Sequence, residues 1–236
     1  MLSRRIFAVL LMLCISAAAY ATPTFIGADQ ITATASTQKP EWAAETFAPV
    51  NNLVNGKGFD NTTLTAKENY ADTFGYLQRA DYGQWLWDVP NAPQPNYSPS
   101  GLIGWAWVAF TFNTPQVVDN MWVWNYNRAA NPGRDWKTVA IDYTTDGTTW
   151  TRLGGSGNWF TFSQSPGTDG YVCNNIINFD GISIKGVCLT LAANYATSAT
   201  QDYYSGLSEV RFETVPEPVT MLLLGLGGLV LRRRGF

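Results

Sequence analysis

MWVWNYNRAANPGRDWKTVAIDYTTDGTTWTRL, residues 121–153, reads as strand, loop, strand, tight turn, strand. Val123 alternates with Trp122 and Trp124, and Asn125-Tyr126-Asn127 ends that run with residues that strands avoid. Asn131-Pro132-Gly133 marks a turn, since Pro removes a donor and Gly admits positive φ. Val139, Ile141 and Tyr143 then recur with period two, the pattern of a half-buried strand. Thr145-Asp146-Gly147 supplies the next turn, and Trp150 opens the returning strand. The product is an antiparallel meander whose long loop carries Arg128 and Arg134.

Outward from this meander the signals stay β. Residues 31–35 form a strand ahead of a loop containing Pro40 and Pro49, and 105–112 form another in which Val108, Phe110 and Phe112 alternate. Val187, Leu189 and Leu191 alternate in turn, and Leu207, Val210 and Phe212 close the domain. Between 60 and 100, Pro90, Pro93, Pro95 and Pro99 break any period, while Tyr82, Trp85, Trp87 and Tyr97 make the stretch too aromatic for a solvated linker. Residues 163–170 read as a loop and 154–157 as a flexible glycine turn. The body holds no helix-period stretch of any length and no internal repeat.

WNYN, then GR-x-x-K, then a strand ending in x-DG-x-x-W resembles the middle of a discoidin-like domain, the family also called coagulation-factor type C or galactose-binding-like. Asn52-Leu53-Val54-Asn55-Gly56 before it and Ser205-Gly206-Leu207-Ser208-Glu209-Val210-Arg211-Phe212 after it extend the resemblance over residues 31–213. The resemblance implies an all-β jelly-roll sandwich and a binding role toward glycans, lipids or proteins rather than catalysis. It also implies a structural calcium at the Leu-x-Asp-Gly position, held here by Asn55 and Glu209 and joining the two ends of the domain. Asn stands where the family usually has Asp, and a neutral amide binds a hard cation less strongly than a carboxylate. A glycine turn with a side-chain hydrogen bond is the alternative.

Composition narrows the chemistry. Hydrophobic residues make up 46% of the 236-residue chain, enough for a large core, and charged residues only 14%. Setting aside Arg4, Arg5 and Arg232 to Arg234 leaves 10 basic residues against 18 acidic ones, and an acidic body without a basic patch argues against nucleic acid and anionic lipid. The count of His is 0, which excludes Ser-His-Asp and Cys-His catalysis and removes the commonest transition-metal ligand.

The ends address the chain. Arg4-Arg5, an apolar run over 6–15 and Ala19-Tyr20-Ala21 make residues 1–21 a secretory signal helix with its cleavage site. Cleavage leaves Cys173 and Cys188 as the only thiols, and two cysteines in an exported chain point to one disulfide, a buried free pair being the alternative. At the other end, Pro216-Glu217-Pro218, an apolar helix over 219–231 and Arg232-Arg233-Arg234 look like a PEP-CTERM sorting signal, which implies an exosortase partner at the membrane. The arginines would hold the C-terminus in the cytoplasm while the domain faces outward. The apolar segment spans roughly 20 Å as helix against a core of about 30 Å, which suits a transient signal better than a permanent one-pass anchor.

The sequence therefore predicts three parts: signal peptide 1–21, discoidin-like sandwich 22–214 and sorting tail 215–236. Sugars are held by aromatic planes against their C–H faces and by planar polar groups on their hydroxyls. Trp85, Trp87, Arg128, Arg134, Trp159 and Tyr203 are the candidates for that role, with the 128–134 loop and the Trp85, Trp87 and Tyr203 loops converging at one end of the sandwich. The expected function is a non-catalytic carbohydrate-binding or adhesive module at the cell surface or in an exopolysaccharide matrix. Two alternatives stand beside it: a matrix protein without specific ligand, and a small glycosidase.

Overall fold

A computed structural model of the chain describes residues 23–36, 50–68, 75–78, 97–102, 106–197 and 204–214. The signal peptide, the sorting tail, Trp85, Trp87 and Tyr203 lie outside them. Among the described residues no helix is long and apolar enough to cross a membrane, and the helices are short 3-10 turns such as Ala28–Gln30 and Pro132–Arg134.

Among the described residues, eleven strands carry the fold: β1 (Ile31–Ala35), β2 (Phe59–Asp60), β3 (Thr65–Ala66), β4 (Gly75–Gln78), β5 (Ala106–Asn125), β6 (Trp136–Thr144), β7 (Trp150–Arg152), β8 (Phe160–Thr161), β9 (Tyr171–Val172), β10 (Asn175–Asn194) and β11 (Tyr204–Thr214). The main sheet runs β4-β11-β5-β10-β6-β7, with β1 added to β5 and β8 to β6.

Its frame is an antiparallel ribbon of β5 and β10, each 20 residues long. Register shifts at Asn178/Ile182 and Ile184/Gly186 bend the ribbon, and Asp180 and Gly181 adopt positive φ of 53° and 68° there. Pro115 falls in the stretch of β5 that makes no pairing with β10, where its missing N–H costs no ladder bond. One half of the ribbon pairs with β1 and β6, the other with β11. The halves face each other, because Phe110 and Phe112 from one pack edge-on against Phe212 from the other, at 5.3 and 5.0 Å between centroids. The result is a two-layer β-sandwich, as the resemblance implies.

Val108, Phe110, Met121, Val123, Val139, Ile141, Val187, Leu189, Leu207 and Val210 fill the interior. The predicted strands 105–112 and 121–124 prove to be two halves of one strand, β5, and 187–191 is the second half of β10. A small sheet of β2, β3 and β9 covers Trp124 from outside, with Phe59, Ala66 and Tyr171 around it.

The predicted disulfide is absent: Cys173 and Cys188 are both free. Cys173 belongs to the outer cluster around Trp124 and donates its thiol to Val123 O at 3.4 Å. Cys188 lies between the core residues Val187 and Leu189, so its side chain takes the opposite, outer face of the other layer, beside Thr190 and Asp142. The sandwich core separates the two sulfurs. Burial pushes both thiols up to about 12, so neither is an ionised nucleophile at neutral pH.

Candidate functional site

The predicted turn at Asp146 is where the site begins. Asp146 Oδ1 accepts the Thr148 and Thr149 N–H groups, each at 2.7 Å, and these bonds hold its carboxyl well below the usual range. The turn sets the register of β6 on β7: Thr144 faces Trp150, Tyr143 faces Thr151 and Asp142 faces Arg152. An opposite-charge pair thus stands directly across two strands.

Asp142 is buried, and Arg152 reaches it with Nε at 2.8 Å from Oδ1 and Nη2 at 3.5 Å from Oδ2. Ser100 Oγ donates to the same Oδ2 at 2.8 Å and brings in the 97–102 segment. Arg152 Nη1 donates to Asn158 O at 3.0 Å. Asn158 returns its own amide to Leu153 O at 3.0 Å, which closes the 153–158 turn. Gly154 in that turn sits at φ +77°, and a Cβ there would lie 2.3 Å from Asn158 Nδ2, so a side chain would break the closure.

The turn delivers Trp159 onto Arg152, with the guanidinium carbon 5.5 Å from the ring centroid. Trp159 stays 42% exposed, one of few large apolar side chains left in solvent among the described residues. Around it opens a pocket of about 560 Å³ lined by Ser100, Asp142, Trp150, Arg152, Ser156 and Trp159, among others. That volume is in the range of small-molecule sites. Among the described residues three of the five guanidinium donors are engaged, which leaves two for a ligand, and Asp142 neutralises the charge.

The 128–134 loop is a separate feature. Asn125 and Asn127, read from sequence only as strand breakers, staple this loop in place. Asn125 Oδ1 accepts from Trp136 N at 2.8 Å while its amide donates to Trp136 O at 2.7 Å. Asn127 exchanges the same pair of bonds with Thr168, at 2.6 and 3.1 Å. Arg134 Nη1 donates to the hydroxyl of buried Tyr126 at 3.3 Å, and Arg128 is half-buried. Beneath them Asp135 is fully buried and accepts Ser165 N at 2.8 Å. Burial pushes its carboxyl up to about 7, against the pull of the Ser165 and Tyr126 N–H groups.

Arg128 and Arg134 do not share the Trp159 pocket. Their loop enters β6 at Trp136, while the pocket stands at Asp142, roughly 20 Å further along at about 3.3 Å per residue. The pocket also occupies the outer face of a layer rather than one end of the sandwich. Of the binding candidates named from sequence, Trp159 alone among the described residues lines this pocket, and Trp150, Arg152, Asp142 and Ser100, which line it too, were not among those candidates.

The calcium expected at Asn55 and Glu209 does not fit the residues present. The Asn55 amide is spent locally, donating to Asn52 Oδ1 at 3.1 Å and accepting Lys57 N at 2.8 Å. Glu209 is 1% exposed and already in contact with Arg211, whose Nε lies 2.6 Å from Oε1 with its N–H off the line to the oxygen. Among the described residues no group of three or more His, Cys, Asp or Glu gathers where a metal could bind. A hard cation wants several oxygen ligands, and here the Glu209 carboxylate already lies against a guanidinium as its counter-charge.

No protein-family model matches the chain, and no curated protein does. Solved structures do resemble it. An F5/8 type C domain from Bacteroides fragilis is 12% identical and aligns over 84% of this chain and 100% of its own, with TM-score 0.46. The family 32 carbohydrate-binding module of NanJ from Clostridium perfringens, solved with galactose, is 11% identical over 81% of this chain and 99% of its own, with TM-score 0.47. A pectin-binding carbohydrate-binding module is 14% identical over 83% and 94%, with TM-score 0.42.

Proposed function

We infer that the protein is an exported, non-catalytic carbohydrate-binding module whose site is the Trp159 pocket and whose ligand is a neutral sugar ring. The observation that carries this reading is the pairing of a half-exposed Trp159 with an Arg152 guanidinium fixed by Asp142, both lining one open pocket of about 560 Å³. An indole plane suits the C–H face of a pyranose, and a fixed guanidinium edge beside Ser100 and Ser156 suits its hydroxyls. Because Asp142 cancels the arginine's charge, a uronate would meet no free cation there, which favours neutral glycans.

The same geometry speaks against the glycosidase alternative. Hydrolysis needs two carboxyls flanking the bond, one of them free to exchange a proton. Asp142 is the pocket's carboxylate among the described lining residues, and Arg152 and Ser100 both hold it.

Display at the surface or in an extracellular matrix is supported by the signal-like residues 1–21 and by the Pro-Glu-Pro, apolar and triple-arginine tail. On this reading an exosortase-type enzyme processes the tail at the membrane and releases or attaches the sandwich outside. Incubating the purified mature chain with a panel of neutral and acidic polysaccharides tests the proposal. Retention by at least one neutral glycan, lost on Trp159→Ala, is expected. Retention only by acidic glycans would refute the ligand class, and product release from any glycan would refute the non-catalytic reading.

A further inference from the structure

Glu209 and Arg211 sit two residues apart on β11, hence on one face of it, the outer face opposite the core residues Val210 and Phe212. Their neighbours come from the other end of the chain. Arg211 Nη2 donates to Asn61 Oδ1 at 3.0 Å, across 150 residues of sequence. The Phe59 ring lies under the guanidinium, 5.0 Å from its carbon to the ring centroid. Gly56, at φ +72°, passes so close that a Cβ on it would lie 2.7 Å from Nη2. The guanidinium therefore fills the space between the 55–61 turn and the buried Glu209 carboxylate, in contact with both.

We propose that Arg211 is the domain's built-in cation: it ties the 55–61 turn to the closing strand through Glu209 and makes the sandwich independent of divalent ions. A delocalised guanidinium is suited to the place, being permanently charged, weakly hydrated and able to bind a carboxylate, an amide oxygen and an aromatic face at once. A buried carboxylate stripped of that partner has two ways to recover. It takes up a proton, or it takes up another cation in the emptied volume. An exported module built this way keeps its fold wherever calcium is scarce. This inference does not depend on the glycan reading.

Thermal unfolding of the mature chain and its variants, with added calcium and with chelator, tests it. The parent's midpoint should be the same in both. Arg211→Ala should lower the midpoint by about 10 °C, the scale for orphaning one member of a buried pair in a domain of this size. Added calcium should then raise the variant's midpoint where it leaves the parent's unchanged. Glu209→Gln combined with Arg211→Met, which removes both charges, should recover most of the loss. Arg211→Lys, which keeps the charge and the fold but not the forked contact with Asn61 and Phe59, should fall between and stay insensitive to calcium. A calcium or chelator shift in the parent would overturn the proposal. So would an Arg211→Ala midpoint equal to the parent's or indifferent to calcium, or a double variant no better than Arg211→Ala.

Discussion

Raising the pH should loosen this domain, and Asp135 is the reason to expect it. Its carboxyl is fully buried at the start of β6, and burial holds it up to about 7 against 3.8 in an exposed chain. Between those two values the folded state keeps a proton that the unfolded state has released. The stability this group contributes is therefore fully present below 3.8 and is lost as pH rises through 7. Linkage puts the loss at about 2–3 kcal/mol between about pH 5 and about pH 8. For a domain of this size that is a fall of about 5–10 °C in the thermal midpoint.

Burial raises Glu209 as well, against the pull of the adjacent Arg211 guanidinium, so it adds a slope of the same sign. The informative quantity is accordingly the difference between the parent and Asp135→Asn. Asparagine keeps an acceptor for Ser165 N but cannot ionise, so the variant's profile should be flatter by the amount above and cross the parent's near neutrality. Midpoints measured by circular dichroism across this range decide it. Parallel profiles for parent and variant would mean that Asp135 binds no extra proton on folding.

Three further outcomes follow from the contacts. Asp142→Ala should cost about 3 kcal/mol in chemical denaturation, since it leaves Arg152 half-sequestered without its counter-charge, whereas Asp142→Asn should cost less. Thiol titration of the mature chain should find Cys173 and Cys188 unreactive when folded and both reactive after denaturation, without reductant; a disulfide released only by reductant would contradict the free pair. Deleting residues 215–236 should leave the thermal midpoint unchanged while abolishing surface sorting, because β11 already closes the sandwich at Thr214, and a large drop would show that the tail packs on the body.

Much of the frame was legible because alternation reports one-sided burial. Val108, Phe110, Phe112, Val139, Ile141, Val187, Leu189 and Phe212 all point inward as their period predicts. The continuity of β5 and β10 was not legible. At the bend both ribbon strands lose the ordinary contrast, with Thr114, Pro115 and Val117 exposed on β5 and polar Asn178 and Asp180 exposed on β10. The disulfide expectation failed for a related reason: spacing and compartment carry no information about which face of a strand each sulfur takes. The pocket was half legible. A recognised turn at Asp146-Gly147 fixes 144 opposite 150 and therefore Asp142 opposite Arg152, so the ion pair was available from register arithmetic. That Ser100 would complete it could not be read, since its contact with Asp142 spans 42 residues and depends on how the 97–102 segment returns to the layer.

On the proposed function, Trp159 and the fixed Arg152 bind a neutral sugar. Calorimetric titration of the mature chain and of Trp159→Ala with the neutral glycan that the parent retains tests this most directly. A stacking tryptophan at the heart of a site is worth upward of about 2 kcal/mol, so the variant should bind at least about 30-fold more weakly. Its thermal midpoint should change little, because the ring is 42% exposed and its contact with Arg152 contributes about 1 kcal/mol. Unchanged affinity in a folded Trp159→Ala variant would place the sugar somewhere other than this pocket.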